Sequence, residues 1–431
     1  MRLEPVVSTL LAYLLEASIS LPRQSSASAS EGNEAHFRWM CGGRLIDPQG
    51  RTFDGPLDAG AGVIAELFRA SQRGLEFYVT HRGVEVLGPA RPASFQCETS
   101  GSTGPAKRIR RSQASWLASI AVNAARFGIG PGMAVGILGR LHASLPLYGA
   151  VEALCLGADL HLMGGVRPDR QLALIRAGET ALIWATPTQI RQFAASDPKE
   201  PCPSLRILLV GGGTFDAASM AKARNLFPNA EVTQFYGAAE TSFIAMSDAQ
   251  TPKGSVGRAY PGVEIEIRNG KGARLGAGDV GEIWVKSPYL FLDYSVGNGV
   301  DTRRDGSYLT IGECGALDAN GNLYLEGRRT RMVTIAECNV FLDQVEAAML
   351  ACAGVTQAAV LPLQDPLRGN VLIGFVQMQG DGSLDVLRAE CLAALGPRAT
   401  PRAFIPIATW PELGSGKTDH DALRRNMPSD I

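Results

Sequence analysis

Between Met133 and Tyr236 short apolar runs alternate with stretches that read as helices of 10–15 residues. Met133–Leu138, Leu160–Met163, Ala181–Ala185, Leu205–Val210 and Glu231–Tyr236 read as strands; Leu145–Leu156, the stretch from Thr188 and Ala217–Phe227 read as helices. Near-continuous apolar strands need cover on both faces, which a mostly parallel sheet with flanking helices supplies. Ligands in such sheets sit beyond the carboxyl ends of strands. Two stretches fall at such ends, the triple glycine Gly211-Gly212-Gly213 and the segment after Tyr236. The expected fold class is therefore α/β, with a large N-terminal domain of mostly parallel sheet.

From about residue 252 the pattern changes. Val263–Ile267 and Gly281–Val285 alternate with period two between glycine-rich turns, which is antiparallel sheet. Beyond Gly327 the chain reads as a small α+β unit, with helices at 342–352 and 384–395 and strands at 355–363 and 371–378. The expected domains are 1–327 and 328–431. Upstream, Ser115–Phe127 reads as a helix closed by Gly128, residues 60–73 as a helix and 76–88 as short strands. Residues 1–22 read as an amphipathic surface helix and 23–34 as a low-complexity loop.

Bulk properties exclude several classes. The net charge is −1 over 431 residues, so no global field draws nucleic acid. No run of 18 apolar residues occurs, so no membrane span is expected. Eight scattered cysteines without a C-x-x-C pair, and five histidines, argue against a zinc site and for a reducing, cytoplasmic setting.

Thr99-Ser100-Gly101-Ser102-Thr103-Gly104-Pro105-Ala106-Lys107 is the stretch richest in chemistry. Its glycines allow backbone N–H groups to approach an anion, its hydroxyls add donors, and Lys107 adds a point charge. Phosphate fits such a loop. It lacks the Walker pattern, because Gly104 is followed by Pro-Ala-Lys. Taken alone it also fits a flexible linker.

The order of these segments resembles the adenylate-forming superfamily, which includes acyl-CoA and aryl-CoA synthetases, nonribosomal peptide synthetase adenylation domains and luciferases. The resemblance runs from about 97 to 425. Thr99–Lys107 looks like the signature loop, and Gln234-Phe235-Tyr236-Gly237-Ala238-Ala239-Glu240 is similar to Tyr-Gly-x-Thr-Glu. Gly211–Gly213 stands where the adenine-flanking loop belongs. Gly254-Ser255-Val256-Gly257, Gly281-Glu282-Ile283, Gly327-Arg328 and Gly416-Lys417 match further landmarks in the right order.

The resemblance implies an ATP-dependent ligase. It joins a carboxylic acid to ATP, giving an acyl- or aryl-adenylate and pyrophosphate, and passes the acyl group to a thiol of coenzyme A or of a carrier protein's phosphopantetheine. The loop residues Thr99, Ser100, Gly101, Ser102, Thr103, Gly104 and Lys107 hold the phosphates. Gly211, Gly212, Gly213, Tyr236, Gly237 and Ala238 flank the nucleotide, with Tyr236 packed on adenine. Glu313 meets the ribose, and Arg328 meets the ribose or starts the hinge. Glu240 ligates Mg²⁺, a hard cation suited to carboxylate and phosphate oxygens. Lys417 bridges carboxylate and α-phosphate. His142, in Gly139-Arg140-Leu141-His142, lines the acyl pocket; Ala143 and Ser144 beside it suggest a modest aromatic or short acyl acid. Stand-alone relatives load carrier proteins in secondary metabolism, so an acyl carrier protein is an implied partner.

Some positions depart from the pattern. Ala239 replaces the threonine before the glutamate, and Thr241 lies on the wrong side of Glu240. Glu313 replaces an aspartate, and Arg331 the hinge aspartate. Thr334 and Glu337 stand where a lysine and a glycine are usual, and the chain is short before the signature loop. Glu337 bears on the thiol half-reaction, so adenylation is expected to survive and thioester formation to be atypical. The alternative is a degenerate homologue that binds nucleotide or acyl-adenylate as a partner or regulator. Transfer to an amine is a third possibility.

Overall fold

The computed structural model describes residues 35–55, 61–89, 93–99, 107–196, 200–213, 215–335, 338–365, 369–379, 383–411, 418–425 and 427. The expected helix at 1–22 and loop at 23–34 lie outside them. The chain divides into two compact units, Met1–Ile265 with Val285–Gly299 and Gly306–Leu309, and Glu266–Trp284 with Val300–Asp305 and Thr310–Ile431.

The first unit carries β1 (Leu45–Ile46), β2 (Thr52–Phe53), α1 (Gly62–Gln72), β3 (Glu76–Val79), β4 (Val84–Gly88), β5 (Ser94–Thr99), β6 (Lys107–Ser112), α2 (Gln113–Phe127), β7 (Ala134–Ile137), α3 (Ser144–Cys155), β8 (Asp159–Leu162), α4 (Pro168–Ala177), β9 (Leu182–Ala185), α5 (Pro187–Ala195), β10 (Ile207–Val210), α6 (Ala217–Leu226), β11 (Glu231–Ala238), β12 (Ser242–Met246) and β13 (Ser255–Ala259). Its main sheet runs β13-β12-β11-β10-β9-β7-β8-β1-β2. The pairings from β11 to β1 are parallel, as expected. β9 is buried at all four positions and β10 at three, which is why the sequence shows no alternation there.

The helix ends follow local chemistry. Ser112 caps α2 by accepting the Ser115 N–H, and Gly128 closes it in the left-handed region. α5 opens with Pro187 behind a capping box of Thr186 and Gln189. α4 was not evident in the sequence, because only Leu172, Ile175 and Gln171 of its ten residues are buried.

An aromatic row threads this unit from Phe37 through Phe95, Trp116, Tyr148 and Trp184 to Phe235 and Phe243. A polar network lies against it. Asn123 Nδ2 donates to Glu152 Oε1 at 2.8 Å, and Trp184 Nε1 donates to Glu152 Oε2 at 3.0 Å. Tyr260 donates to Asn123 Oδ1 at 2.7 Å. Glu152 is fully buried, and burial pushes its carboxyl up to about 8.

β14 (Glu264–Arg268), β15 (Gly281–Lys286) and β18 (Tyr308–Thr310) straddle the division, while β16 (Asp293–Val296) belongs to the first unit and β17 (Arg303–Asp305) to the second. A second sheet of the first unit runs β16-β6-β5-β3-β4. In the second unit β19 (Glu313–Leu317) pairs with β20 (Asn322–Arg328) antiparallel. There follow β21 (Met332–Ile335), β22 (Cys338–Phe341), α7 (Leu342–Ala351), β23 (Val355–Asp365), β24 (Gly369–Met378), α8 (Leu384–Ala399), β25 (Ala403–Pro406) and α9 (His420–Arg425). β23-β24-β25 form a sheet. One of its apolar clusters contains Val345, Met349, Val360 and Leu387, and another contains Phe375, Trp410 and Leu423. α8 is helical to Leu395, the expected end; Gly396 leaves helical geometry with φ 74° and ψ 172°, and a second short helical stretch follows from Pro397.

Candidate active site

The segment after Tyr236 is not an open loop at a strand end. β11 continues to Ala238 and returns as β12 in a hairpin whose turn is Ala239-Glu240-Thr241. Gly237 permits it, because a Cβ there would lie 1.8 Å from the Ser242 carbonyl oxygen. Thr241 is buried and accepts the Ala238 N–H at 3.0 Å, so it holds the turn together. Ser242 takes a positive φ of 55° to close it.

Glu240 is held at two atoms. Its carbonyl accepts the Phe291 N–H at 2.8 Å, and Oε1 accepts the Tyr294 hydroxyl at 2.8 Å. Among the described residues, nothing donates to Oε2. That leaves an anionic oxygen for a hard cation, a fit to Mg²⁺, which is commonly bound by one or two carboxylates together with substrate phosphates.

Neighbouring strands bring other expected residues close. Tyr294 pairs with Ile109 of β6, the strand that Lys107 opens, and a Cβ on Gly297 would meet the Lys107 side chain at 3.2 Å. β6 pairs with β5, setting Thr99 opposite Lys107. Beside it, Glu98 bridges to Ala143, next to half-buried His142. Gly211 follows β10, where a Cβ would strike the Phe235 ring at 2.3 Å. The first unit thus carries Thr99 and Lys107 on β5 and β6 of its second sheet, and His142, Gly211–Gly213 and Tyr236–Glu240 along or after β7, β10 and β11 of its main sheet, with the Glu98–Ala143 bridge and the Tyr294–Glu240 hydrogen bond linking the two. Ser100, Gly101, Ser102, Thr103, Gly104, Glu337 and Lys417 lie outside the described residues.

In the second unit Glu313 faces Arg328 across the β19–β20 pair, with Arg328 Nη2 3.7 Å from Glu313 Oε1. Arg331 has a local role. It pairs with Asp343 at 2.7 Å and Glu346 at 2.5 Å, and lies 2.8 Å from His420 Nε2, tying residues 329–331 to α7 and α9.

Sequence reasoning missed Arg111 and Tyr294. Arg111 is fully buried; it donates to the carbonyls of Ala239 and Tyr289, and to Ser242 Oγ at 2.7 Å. Burial pushes its guanidinium down to about 10, while Cys97 and Glu240 pull the other way. The signal available was period two in β6, where Ile109 and Arg111 share the buried face. Cys97 is fully buried and pushed up to about 11, so it stays a neutral thiol.

The hairpin gives a direct test. Gly237→Ala is expected to destabilise the protein by about 1–3 kcal/mol, the usual range for forced overpacking. Gly213→Ala is the control: its Cβ would meet Pro187 only at an ordinary 3.7 Å, and an effect within about 0.5 kcal/mol is expected. Equal denaturation midpoints for the two variants would contradict the hairpin argument.

Known proteins resemble this chain over much of its length. The family described as AMP-binding enzyme matches residues 71–295, and the AMP-binding enzyme C-terminal domain matches 344–417. An uncharacterized acyl–CoA ligase of Bacillus subtilis is 30% identical over 77% of this chain and 68% of its own length. A 2-succinylbenzoate–CoA ligase of Bacillus velezensis is 27% identical over 74% of this chain and 66% of its own length. Among solved structures, o-succinylbenzoate CoA synthetase from Bacillus subtilis with its acyl-adenylate intermediate is 25% identical, with a TM-score of 0.69 over 77% of this chain and 68% of that one. The amide bond synthetase McbA from Marinactinospora thermotolerans is 26% identical, with a TM-score of 0.67 over 81% of this chain and 74% of that one. The chain belongs to the AMP-binding enzyme family, within the adenylate-forming superfamily. Its class is that of the AMP-forming acid–CoA ligases, and nothing in these likenesses supports a degenerate nucleotide-binding homologue. It spans about two thirds of the length of these curated relatives. Among the described residues no helix is long and apolar enough to cross a membrane.

Proposed function

We propose that the protein activates a carboxylic acid with ATP as an acyl- or aryl-adenylate and transfers the acyl group to coenzyme A. The observation that carries this reading is the Glu240 turn, whose carboxylate accepts the Tyr294 hydroxyl from β16, the strand paired with the one that Lys107 opens, and whose backbone carbonyl accepts the Phe291 N–H. In this reading Thr99 to Gly104 and Lys107 hold the β- and γ-phosphates, and Glu240 would hold Mg²⁺, which neutralises phosphate charge when bound. Gly211–Gly213, Tyr236, Gly237 and Ala238 flank the adenosine. Glu313 and Arg328 meet the ribose, His142 meets the acid, and Lys417 supplies an ammonium between carboxylate and α-phosphate. The lid domain begins at Arg328, and the protein works in the cytoplasm.

The test is acid-dependent ATP–pyrophosphate exchange across aryl, short-chain and long-chain acids. Exchange with one class is expected, and it names the substrate. No exchange with any acid, despite ATP binding, would overturn the reading.

A second reading replaces coenzyme A by an amine acceptor. The likeness to an amide bond synthetase favours it, as does Glu337 in place of the usual glycine. Once the acid is known, the product decides: thioester with coenzyme A, thioester on a carrier protein's phosphopantetheine, or amide with an added amine.

A further inference from the structure

We infer that Arg111 is the positioning residue for Glu240: its buried guanidinium fixes the turn that presents the carboxylate and the strap that holds it. The inference rests on the reading of Glu240 as the Mg²⁺ ligand.

Arg111 donates to the Ala239 carbonyl immediately before Glu240 and to the Ser242 hydroxyl two residues after it. It also donates to the carbonyl of Tyr289. Two residues past Tyr289, the Phe291 N–H binds the Glu240 carbonyl, and Tyr294 further on binds the Glu240 side chain. One guanidinium therefore joins both elements that restrain Glu240. It does so from β6, the strand that Lys107 opens.

A packing role does not account for this choice of residue. Arg111 is fully buried, yet among the described residues no carboxylate bonds to it and its Nε finds no partner. A buried cation held by neutral acceptors is costly compared with an apolar side chain of similar volume. The planar fork of arginine reaches four acceptors, the carbonyls of Ala239 and Tyr289 and the hydroxyls of Ser242 and, at 3.5 Å, Ser115, which a lysine cannot reproduce. Because Arg111 is wholly covered, it acts on substrate through the turn and not by touching phosphate itself.

The experiment measures the Mg²⁺ midpoint of ATP-induced thermal stabilisation in wild type, Glu240→Gln, Arg111→Met, Arg111→Lys and Ser242→Ala. ATP–pyrophosphate exchange at low and high Mg²⁺ is measured alongside. Glu240→Gln is expected to raise the midpoint most. Arg111→Met should raise it about tenfold, the effect of a 1.4 kcal/mol loss in binding. High Mg²⁺ should recover part of its exchange. Arg111→Lys should fall between it and wild type, and Ser242→Ala should shift the midpoint by about two- to fivefold, the lower half of a hydrogen bond's range. A merely structural role lowers the melting temperature without moving the midpoint. If Glu240→Gln shifts it while the Arg111 variants and Ser242→Ala do not, the positioning role is overturned and the Glu240 reading stands. If Arg111→Met does not fold, Ser242→Ala decides alone. If Glu240→Gln leaves the midpoint unmoved, both fall.

Discussion

Lys417→Ala is expected to lower acid-dependent ATP–pyrophosphate exchange by about 10²–10³-fold, about 3–4 kcal/mol of transition-state stabilisation. Adenylation brings a carboxylate against the α-phosphate, so two anions must approach before any bond forms. An ammonium placed between them acts where charge develops, and its loss appears in kcat more than in ATP binding. In the sequence the lysine follows Gly414-Ser415-Gly416, a composition that reads as a turn, and substitutions in turns away from packed features change stability by about 0.5 kcal/mol or less. The expected signature is therefore slow exchange with an unchanged melting temperature and an unchanged ATP-induced shift. Exchange within about twofold of wild type would remove Lys417 from the chemistry.

The parts of the fold legible in the sequence are those where one force acts alone. β9 and β10 are buried along nearly their whole length, so apolar runs and their bounding glycines locate them. α4 escaped notice because its exposed face outweighs three buried residues. The β11–β12 hairpin escaped for a different reason. Its turn, Ala239-Glu240-Thr241, has no glycine, proline or asparagine, and is closed by Thr241 and by a positive φ at Ser242. Thr241, on the wrong side of Glu240 by the family pattern, binds the backbone of the turn. Arg331 looked like a lost hinge residue and proves to be paired with Asp343 and Glu346. The partner of Thr241 is a nearby backbone N–H that no residue type announces, and the partners of Arg331 lie further along the chain, on α7. The residue types at Glu240, Lys107 and Gly211 could be read from order and chemistry, whereas Arg111 could not, because nothing in the chain announces which inward-facing arginine finds acceptors on both elements that restrain Glu240.

Glu152→Gln is expected to remove most of a pH dependence in stability that wild type shows between about pH 4.5 and 8. Glu152 lies on α3, fully buried, and accepts hydrogen bonds from Asn123 and Trp184 with no cation among its described partners. Burial raises its carboxyl from 4.5 to about 8 in the folded protein, and the hydrogen bonds only partly oppose that. Below the unfolded value both states hold the proton, and the group adds no penalty. As pH rises further, the unfolded chain ionises while the folded protein keeps its proton, so stability falls by about 1.4 kcal/mol per pH unit. Above about 8 both states are ionised, and the loss levels off at about 5 kcal/mol. Glutamine copies the neutral acid in shape but cannot ionise. It mismatches one donor at a cost of about 1 kcal/mol, so the variant should be slightly less stable than wild type near pH 5 and clearly more stable near pH 9. Other titrating groups act equally in both proteins, so the difference between their urea midpoints across this range isolates Glu152. A constant difference from pH 5 to 9 would mean that this carboxyl keeps an ordinary affinity for its proton inside the core.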